Sequence, residues 1–395
     1  MKRNLFLIAF SILTALAGFV FFKTHSEKRL ASVEVQVPTP QNNPASNGNQ
    51  SHLYVTAWLP YWSKTEGAAA LENNFSLFDE INPFALGVNP DGSLSDNLKL
   101  SQAPWPQLEE NAVKNKIAIM PTILWGDAKA MHKVFSNQRL LDSHINAIVA
   151  FLRQHDFSGV DIDYEGKDVT DRDNFSNFLR VLHGKLKAEN KTLSCTVEAR
   201  TQDDVPTGWS GTRAMAWTND FKTLNNECDS VRIMAYDQVF QQYGTKSVFE
   251  NQEAQPYAPN ADSRWVEDVV KYALKYISPT KLVLGIPTYG WEFQVEKTAS
   301  GFRYTRFQSV SYPKAIQEAQ NAGVEREHTK GGEMSFVYKA PDGQHIVTFS
   351  DSEAVKEKIN LAKKYHLEGI SLFKLDGQGD PSIFSVLKEN NSSKQ

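Results

Sequence analysis

The sequence predicts an α/β protein: a (β/α)8 barrel of the TIM type, preceded by an N-terminal apolar segment and carrying a small α+β insertion between its seventh and eighth strands. Three observations carry this prediction. Eight short apolar, strand-like runs follow one another from residue 53 onward. Amphipathic helical stripes lie between several of them, and eight strands with interleaved helices is the count of a closed barrel. The third is that no phosphate-binding glycine turn follows the first run, which argues against the rival doubly wound open sheet.

The elements can be taken in chain order. Residues 1–22 open with Lys2 and Arg3 and continue with the uncharged run Leu5 to Phe22. That run is at the lower end of what spans a bilayer as a helix and is longer than most secretory apolar cores. An uncleaved membrane anchor is therefore expected in preference to a removed signal, and the body of the protein is expected outside the cytoplasm, in the cell envelope or secreted. Residues 23–51 are rich in Pro, Asn, Gln and Ser and read as a flexible tether. The barrel is expected over 52–291 and 350–390, with the insertion at 292–349. Its strands are the runs LYVTAWLPYW, FDEINPFALGVN, KIAIMPTILW, FSGVDIDYE, TLSCTVEAR, DSVRIMAYDQ, KLVLGIPTYGW and GISLFKLDG. Leu141, Ile145, Ile148, Val149 and Leu152 form one helical stripe, and Phe175, Phe178, Leu179, Leu182 and Leu186 another. Further stripes run from Trp265 to Ile277 and from Val355 to Tyr365.

A charged fraction of 22% and a net charge of -4, with no basic stripe, exclude a nucleic-acid surface. Two cysteines, Cys195 and Cys228, are too few for a disulfide scaffold or a zinc ribbon. Their apolar surroundings make them buried thiols, with a single disulfide as the alternative in an exported protein. His52, His132 and His155 lack metal-ligand spacing, and no metal or other cofactor is expected.

The fourth run carries the chemistry. In VDIDYE, Asp161, Asp163 and Glu165 alternate with Val160, Ile162 and Tyr164. Alternate residues of a strand share a face, so the three acids point into the barrel and climb toward its C-terminal mouth, where barrel enzymes work. Carboxylates this close cannot all ionise cheaply, and a retained proton is what a general acid needs. Glu165 is nearest the mouth and best placed to donate. A calcium loop is disfavoured because Arg172 stands where the bidentate glutamate would be. A solvated edge strand is disfavoured because barrel strands have no solvated face.

The stretch SGVDIDYE resembles the D-G-x-D-x-D-x-E signature of glycoside hydrolase family 18, the chitinase family. IMAYDQ, LVLGIPTYGW and GISLFKLDG are similar to that family's sixth, seventh and eighth strands, in the right order. The resemblance implies a glycosidase that cuts β-1,4 bonds beside N-acetylglucosamine, in chitin fragments or peptidoglycan, with the substrate's own acetamide as nucleophile. It implies that Glu165 protonates the leaving oxygen, Asp163 holds the acetamide, Asp161 shares a proton with Asp163, and Tyr236 contacts the acetamide oxygen. Asp237 and Met234 join Tyr236 on the substrate-binding side, although Met234 also suits packing and Tyr236 a barrel-core aromatic. Trp58, Tyr61, Tyr289, Trp291 and Phe373 are the candidate sugar platforms. The expected partner is an N-acetylglucosamine-containing glycan bound by a monomer, with the membrane reached only through the N-terminal helix.

Three features depart from the family pattern. Ser158 replaces the first acid, the third strand lacks the S-x-G-G motif, and Phe373 stands where a tryptophan is usual. These point toward the bacterial branch with peptidoglycan- and spore-cortex-lytic members. A lectin that binds such glycans without cutting is the alternative, disfavoured by the retained Glu165.

Overall fold

The computed structural model describes residues 52–155, 157–243 and 248–390. The expected anchor and tether, residues 1–51, lie outside the described residues. Among the described residues, no helix is long and apolar enough to cross a membrane.

The strand-like runs form one curled, mainly parallel sheet of the kind found in TIM-type barrels. Its strands are β1 (Tyr54–Pro60), β2 (Glu80–Phe84, continued by Leu86–Val88), β3 (Ala118–Ile119 and Thr122–Trp125), β4 (Gly159–Tyr164), β5 (Thr192–Glu198), β6 (Ser230–Met234), β7 (Leu282–Pro287) and β8 (Gly369–Phe373). Parallel ladders join each strand to the next from β3 to β8, and β8 to β1. β1 pairs with the first part of β2, which pairs with Ala118–Ile119; Leu86 and Gly87 then pair with Ile123 and Leu124. Ala85 interrupts β2, and Pro121, which has no N–H to give a ladder, interrupts β3.

Helices cover the outer face of this sheet. The expected stripes appear on helices Gln138–Arg153, Arg172–Ala188, Ser263–Ala273 and Ser352–Lys364, each with its apolar residues buried. Side chains cap three of their N-termini: Asn137, Asp262 and Asp351 each accept from a backbone N–H of the first turn. Val160, Ile162 and Tyr164 of β4 face this helical layer. Tyr164 packs against Trp125 and Phe178 and hydrogen-bonds His144 at 2.7 Å. Ser158, at the foot of β4, donates its hydroxyl to the Ile119 carbonyl.

A second, antiparallel sheet lies between β7 and β8 in sequence. It uses Tyr289–Lys297, Phe302–Ser311, Glu327–His328, Met334–Ala340 and Gly343–Phe349, with a helix at Tyr312–Ala322. Its first strand begins at Tyr289, so Tyr289 and Trp291 belong to this sheet and β7 ends at Pro287. It also recruits Val248–Asn251 from the segment after β6, which pairs with Phe302–Thr305. That tiny strand carries no sequence signal strong enough to place it in a distant sheet.

The cysteines are a correction to the expected thiols. Cys195 on β5 and Cys228, just before β6, form a disulfide with their Cα atoms 6.1 Å apart. Register explains the contact: Cys195 lies opposite Val231 in the β5–β6 ladder, and Cys228 is the C-cap residue of the short helix Phe221–Glu227 that leads into β6.

Candidate active site

The inward parity of the barrel strands divides into a lower and an upper level. At the lower level sit Thr56, Glu80, Asn82, Thr122, Asp161, Ser194 and Arg232, all buried. Arg232 donates to Ser194 Oγ at 2.8 Å, Thr56 Oγ1 at 2.9 Å and Asn82 Oδ1 at 2.7 Å, and it pairs with Glu80. Asp161 accepts from Thr122 Oγ1 at 2.9 Å, Ser194 Oγ at 2.8 Å and Thr196 Oγ1 at 2.9 Å, with the Arg232 Nε 3.8 Å away. Its oxygens are therefore occupied by β3 and β5 hydroxyls. The expected proton shared between Asp161 and Asp163 has no corresponding hydrogen bond among the described residues.

Trp58 also belongs to this lower level, not to the rim. Its indole is enclosed at 1% exposure and points its Nε1 at Asp161 Oδ2, 3.4 Å away. The residue lies two positions before the end of β1, so its ring fills the barrel instead of offering an open face to a sugar.

The upper level is where polar groups go unanswered. Asp163 is 2% exposed, and its Oδ1 is enclosed with no hydrogen-bond partner among the described residues. Burial, and then the negative charges of Glu165, Asp161 and Glu198, hold its carboxyl well above the usual range, against the pull of Lys167. Glu165 follows the last residue of β4 and is half-buried. Burial, followed by the Glu198 carboxylate, pushes it up to about 7; Lys167 opposes this and Asp237 adds to it.

Tyr236 and Asp237 follow β6. Tyr236 is buried, stacked on Phe373 with ring centroids 5.5 Å apart. Burial and the acids around it keep its hydroxyl protonated. Asp237 adopts a left-handed conformation, φ 54°, that is uncommon outside glycine. Asn260 fixes it by accepting from its backbone N–H at 2.9 Å. The Asp237 carboxylate accepts from Tyr289 Oη at 2.6 Å and Trp291 Nε1 at 2.8 Å, while burial raises its affinity for a proton. Tyr289 and Trp291 thus hold Asp237. Met234, on the same parity as Arg232, is buried in the main apolar cluster.

Phe373 ends β8 among the rings of Trp58, Phe84, Tyr236 and Tyr289. Tyr61 is partly exposed and packs against Trp62, which is 51% exposed and meets Phe84 edge-on. The structure therefore brings together Asp161, Asp163, Glu165, Tyr236, Asp237, Tyr289, Trp291 and Phe373.

Sequence reasoning missed Arg232, Glu198, Lys167 and Trp62. Glu198 was legible by parity, since Ser194, Thr196 and Glu198 share the inward face of β5 and the last stands nearest the mouth. Arg232 likewise sits on the inward face of β6, but its partners Glu80 and Asn82 are 152 and 150 residues away.

A cluster of inward acids at the C-terminal ends of parallel barrel strands is the arrangement of a hydrolytic site. The profile of Glycosyl hydrolases family 18 matches residues 53–378. The chain belongs to this family. It is 27% identical over 249 residues to the cortical fragment-lytic enzyme of Bacillus subtilis (strain 168), an alignment that covers 62% of this chain and 52% of that protein. The chain thus spans about half the length of that relative. Its fold is similar to that of the Bacillus megaterium QM B1551 spore cortex-lytic enzyme SleL, with a TM-score of 0.70, 20% identity, and 88% of this chain and 76% of that one covered. A chitinase from Chromobacterium violaceum ATCC 12472 matches with a TM-score of 0.71 and 23% identity over 86% of this chain and 99% of that one. The family 18 chain is a glycoside hydrolase with chitinase and spore-cortex-lytic homologues.

Proposed function

We propose that this glycoside hydrolase cleaves β-1,4 bonds beside N-acetylglucosamine, in chito-oligosaccharides or peptidoglycan strands, with retention and with the substrate's acetamide as nucleophile. The observation that carries the reading is the contrast along one face of β4. Asp161 is committed to hydroxyls below, Asp163 keeps an enclosed oxygen free, and Glu165 reaches the mouth with its carboxyl pushed up to about 7. Glu165 is then protonated through much of the neutral range and can give its proton to the leaving glycosidic oxygen. The free Asp163 oxygen is available to accept from the acetamide N–H, turning the acetamide oxygen toward the anomeric carbon. The positively charged oxazolinium-like intermediate would favour the ionised form of that carboxyl, which would steady it in turn. Tyr236 supplies a protonated hydroxyl for the acetamide oxygen, and Phe373 a flat floor for the sugar's C–H face. The ionised Glu165 then takes a proton from the water that opens the intermediate.

The same reading extends to location. The buried Cys195–Cys228 bond suits an oxidising compartment, and the apolar run Leu5 to Phe22 suits export or anchoring. We propose that the domain works outside the cytoplasm, and alkaline phosphatase fused after residue 390 should be active in cells if so.

Release of a fluorophore from a chitobioside, with Glu165→Gln as the control, tests the chemistry. Unchanged turnover in that variant removes Glu165 from its role. Mass spectrometry of the products from chitohexaose and from purified peptidoglycan identifies the glycan, and proton NMR of the first anomer released tests retention.

A further inference from the structure

A buried ion pair stands beside the acid and has no part in the chemistry above. Lys167, two residues after Glu165, is 1% exposed, and its Nζ lies 3.7 Å from Glu198 Oε2. The ammonium also donates to the Tyr164 carbonyl, the last residue of β4, and rests over the Phe175 ring at 4.7 Å. Glu198, the last residue of β5, is equally enclosed. It accepts from Asn219 Nδ2 at 2.7 Å, and the Gly166 N–H points at its Oε1 from 3.4 Å. Its contacts therefore hold the two residues that follow Glu165, Gly166 and Lys167.

Burying a charged lysine and glutamate is costly, and an apolar pair of similar size is often no less stable. A fold alone gives little reason for this pair next to a catalytic carboxyl. We infer that Glu198 is a positioning residue of the reaction: fixed in the β5 rim by Asn219, Gly166 and Lys167, its carboxylate holds the turn that presents Glu165 and faces that acid with a negative charge. The inference rests on Glu165 being the proton donor.

The charged and titratable groups facing Glu165 come from four directions. Asp163 lies below it on β4, Lys167 beyond it in the following turn, Glu198 on β5, and Tyr236, Asp237 and Tyr289 from β6 and the second sheet. Among the neighbouring charges, Glu198 acts most strongly on Glu165, and Lys167 opposes it. Replacing Glu198 by glutamine removes a repelling charge and leaves the lysine unbalanced, so both effects make Glu165 a stronger acid. The protonated form needed for catalysis is then lost at lower pH.

The test reads the ionisation of Glu165 without relying on turnover. In the full-length chain labelled with 13C-glutamate, the Glu165 carboxyl signal is identified by its loss in Glu165→Gln and followed through a pH titration. Its midpoint should fall by about one pH unit in Glu198→Gln, and by less in the charge-neutral pair Lys167→Met/Glu198→Gln. The alkaline limb of kcat/KM should move by the same amount, while Glu198→Asp, which keeps the charge, should recover most of the wild-type profile. If Glu198→Gln does not fold, the charge-neutral pair alone decides. A midpoint equal to or above wild type in either folded variant overturns the proposal. A carboxyl that responds to Glu198 while Glu165→Gln leaves hydrolysis intact would instead sink the role given to Glu165.

Discussion

The lower and upper levels of the barrel interior are built from the same residue types and behave oppositely. Below, Arg232, Glu80, Asn82, Thr56, Ser194, Thr122 and Asp161 answer one another's hydrogen bonds across six strands. Above, near the ends of β4 and β5, Asp163 Oδ1 and Asn219 Oδ1 are enclosed and have no partner among the described residues. A satisfied network fixes the strands in one register, whereas an unsatisfied one stores a demand that a substrate can meet. The lesson is that burial alone does not mark a site here; a buried carboxylate oxygen left without a partner beside the barrel mouth does.

The largest effect should come from removing the acid at the upper level. Glu165→Gln keeps the shape and takes away the transferable proton, so kcat/KM on a chitobioside should drop by roughly 10²–10⁴-fold, with folding unchanged by circular dichroism. The lower level should respond the other way. Arg232→Met leaves Glu80 and Asp161 buried without their cation, a loss of about 3–5 kcal/mol of stability in denaturant titration. Adding Glu80→Gln should return part of that loss. An Arg232→Met protein as stable as wild type would mean that the base is not held by this network.

Ionisation sharpens the same contrast. Glu165 has its folded-state affinity for a proton raised, from 4.5 to about 7. The associated stability is fully present below pH 4.5 and is lost as pH rises through 7. Wild-type protein should therefore lose thermal stability between pH 5 and 8, and Glu165→Gln should lose less over that window. Activity should fall on the alkaline side with a midpoint near 7, because the donor has then ionised. Melting curves across this pH range check the first statement, and a kcat/KM profile checks the second.

How much of this could be read from sequence follows from the range of the interactions. Strand parity is local, so Asp161, Asp163 and Glu165 were assigned to the inner face and Val160, Ile162 and Tyr164 to the helical layer. Helical stripes are local too, and Leu141 to Leu152 and Phe175 to Leu186 are buried as expected. The level at which a side chain sits depends on the stagger between strands, which no single run encodes. Trp58 was therefore expected at the rim and lies beneath it. Val248–Asn251 joins a sheet whose other strands come some 40 residues or more later, and Cys195 finds Cys228 across 33 residues. Arg232 answers carboxylates and hydroxyls on four other strands. Such partners exist only after the strands are assembled.

The smallest effect concerns the edge of the upper level, where the aromatic floor meets solvent. Phe373 touches Phe84 at 5.5 Å between centroids, and Phe84 touches Trp62 at 5.8 Å. Trp62 is thus two ring steps from the floor and leaves half its surface open. A sugar at Phe373 does not reach it, but a longer chain lying along these rings does. Removing the indole should cost the stacking of one sugar, about 0.5–1.5 kcal/mol, or roughly 2- to 10-fold. For Trp62→Ala that loss should appear in KM on chitohexaose, with kcat nearly constant, and should be absent on a chitobioside. Equal losses on both substrates would place the effect in the floor itself, through a displaced Phe84. No loss on either would direct the longer glycan away from Trp62, toward Trp291 beside Asp237.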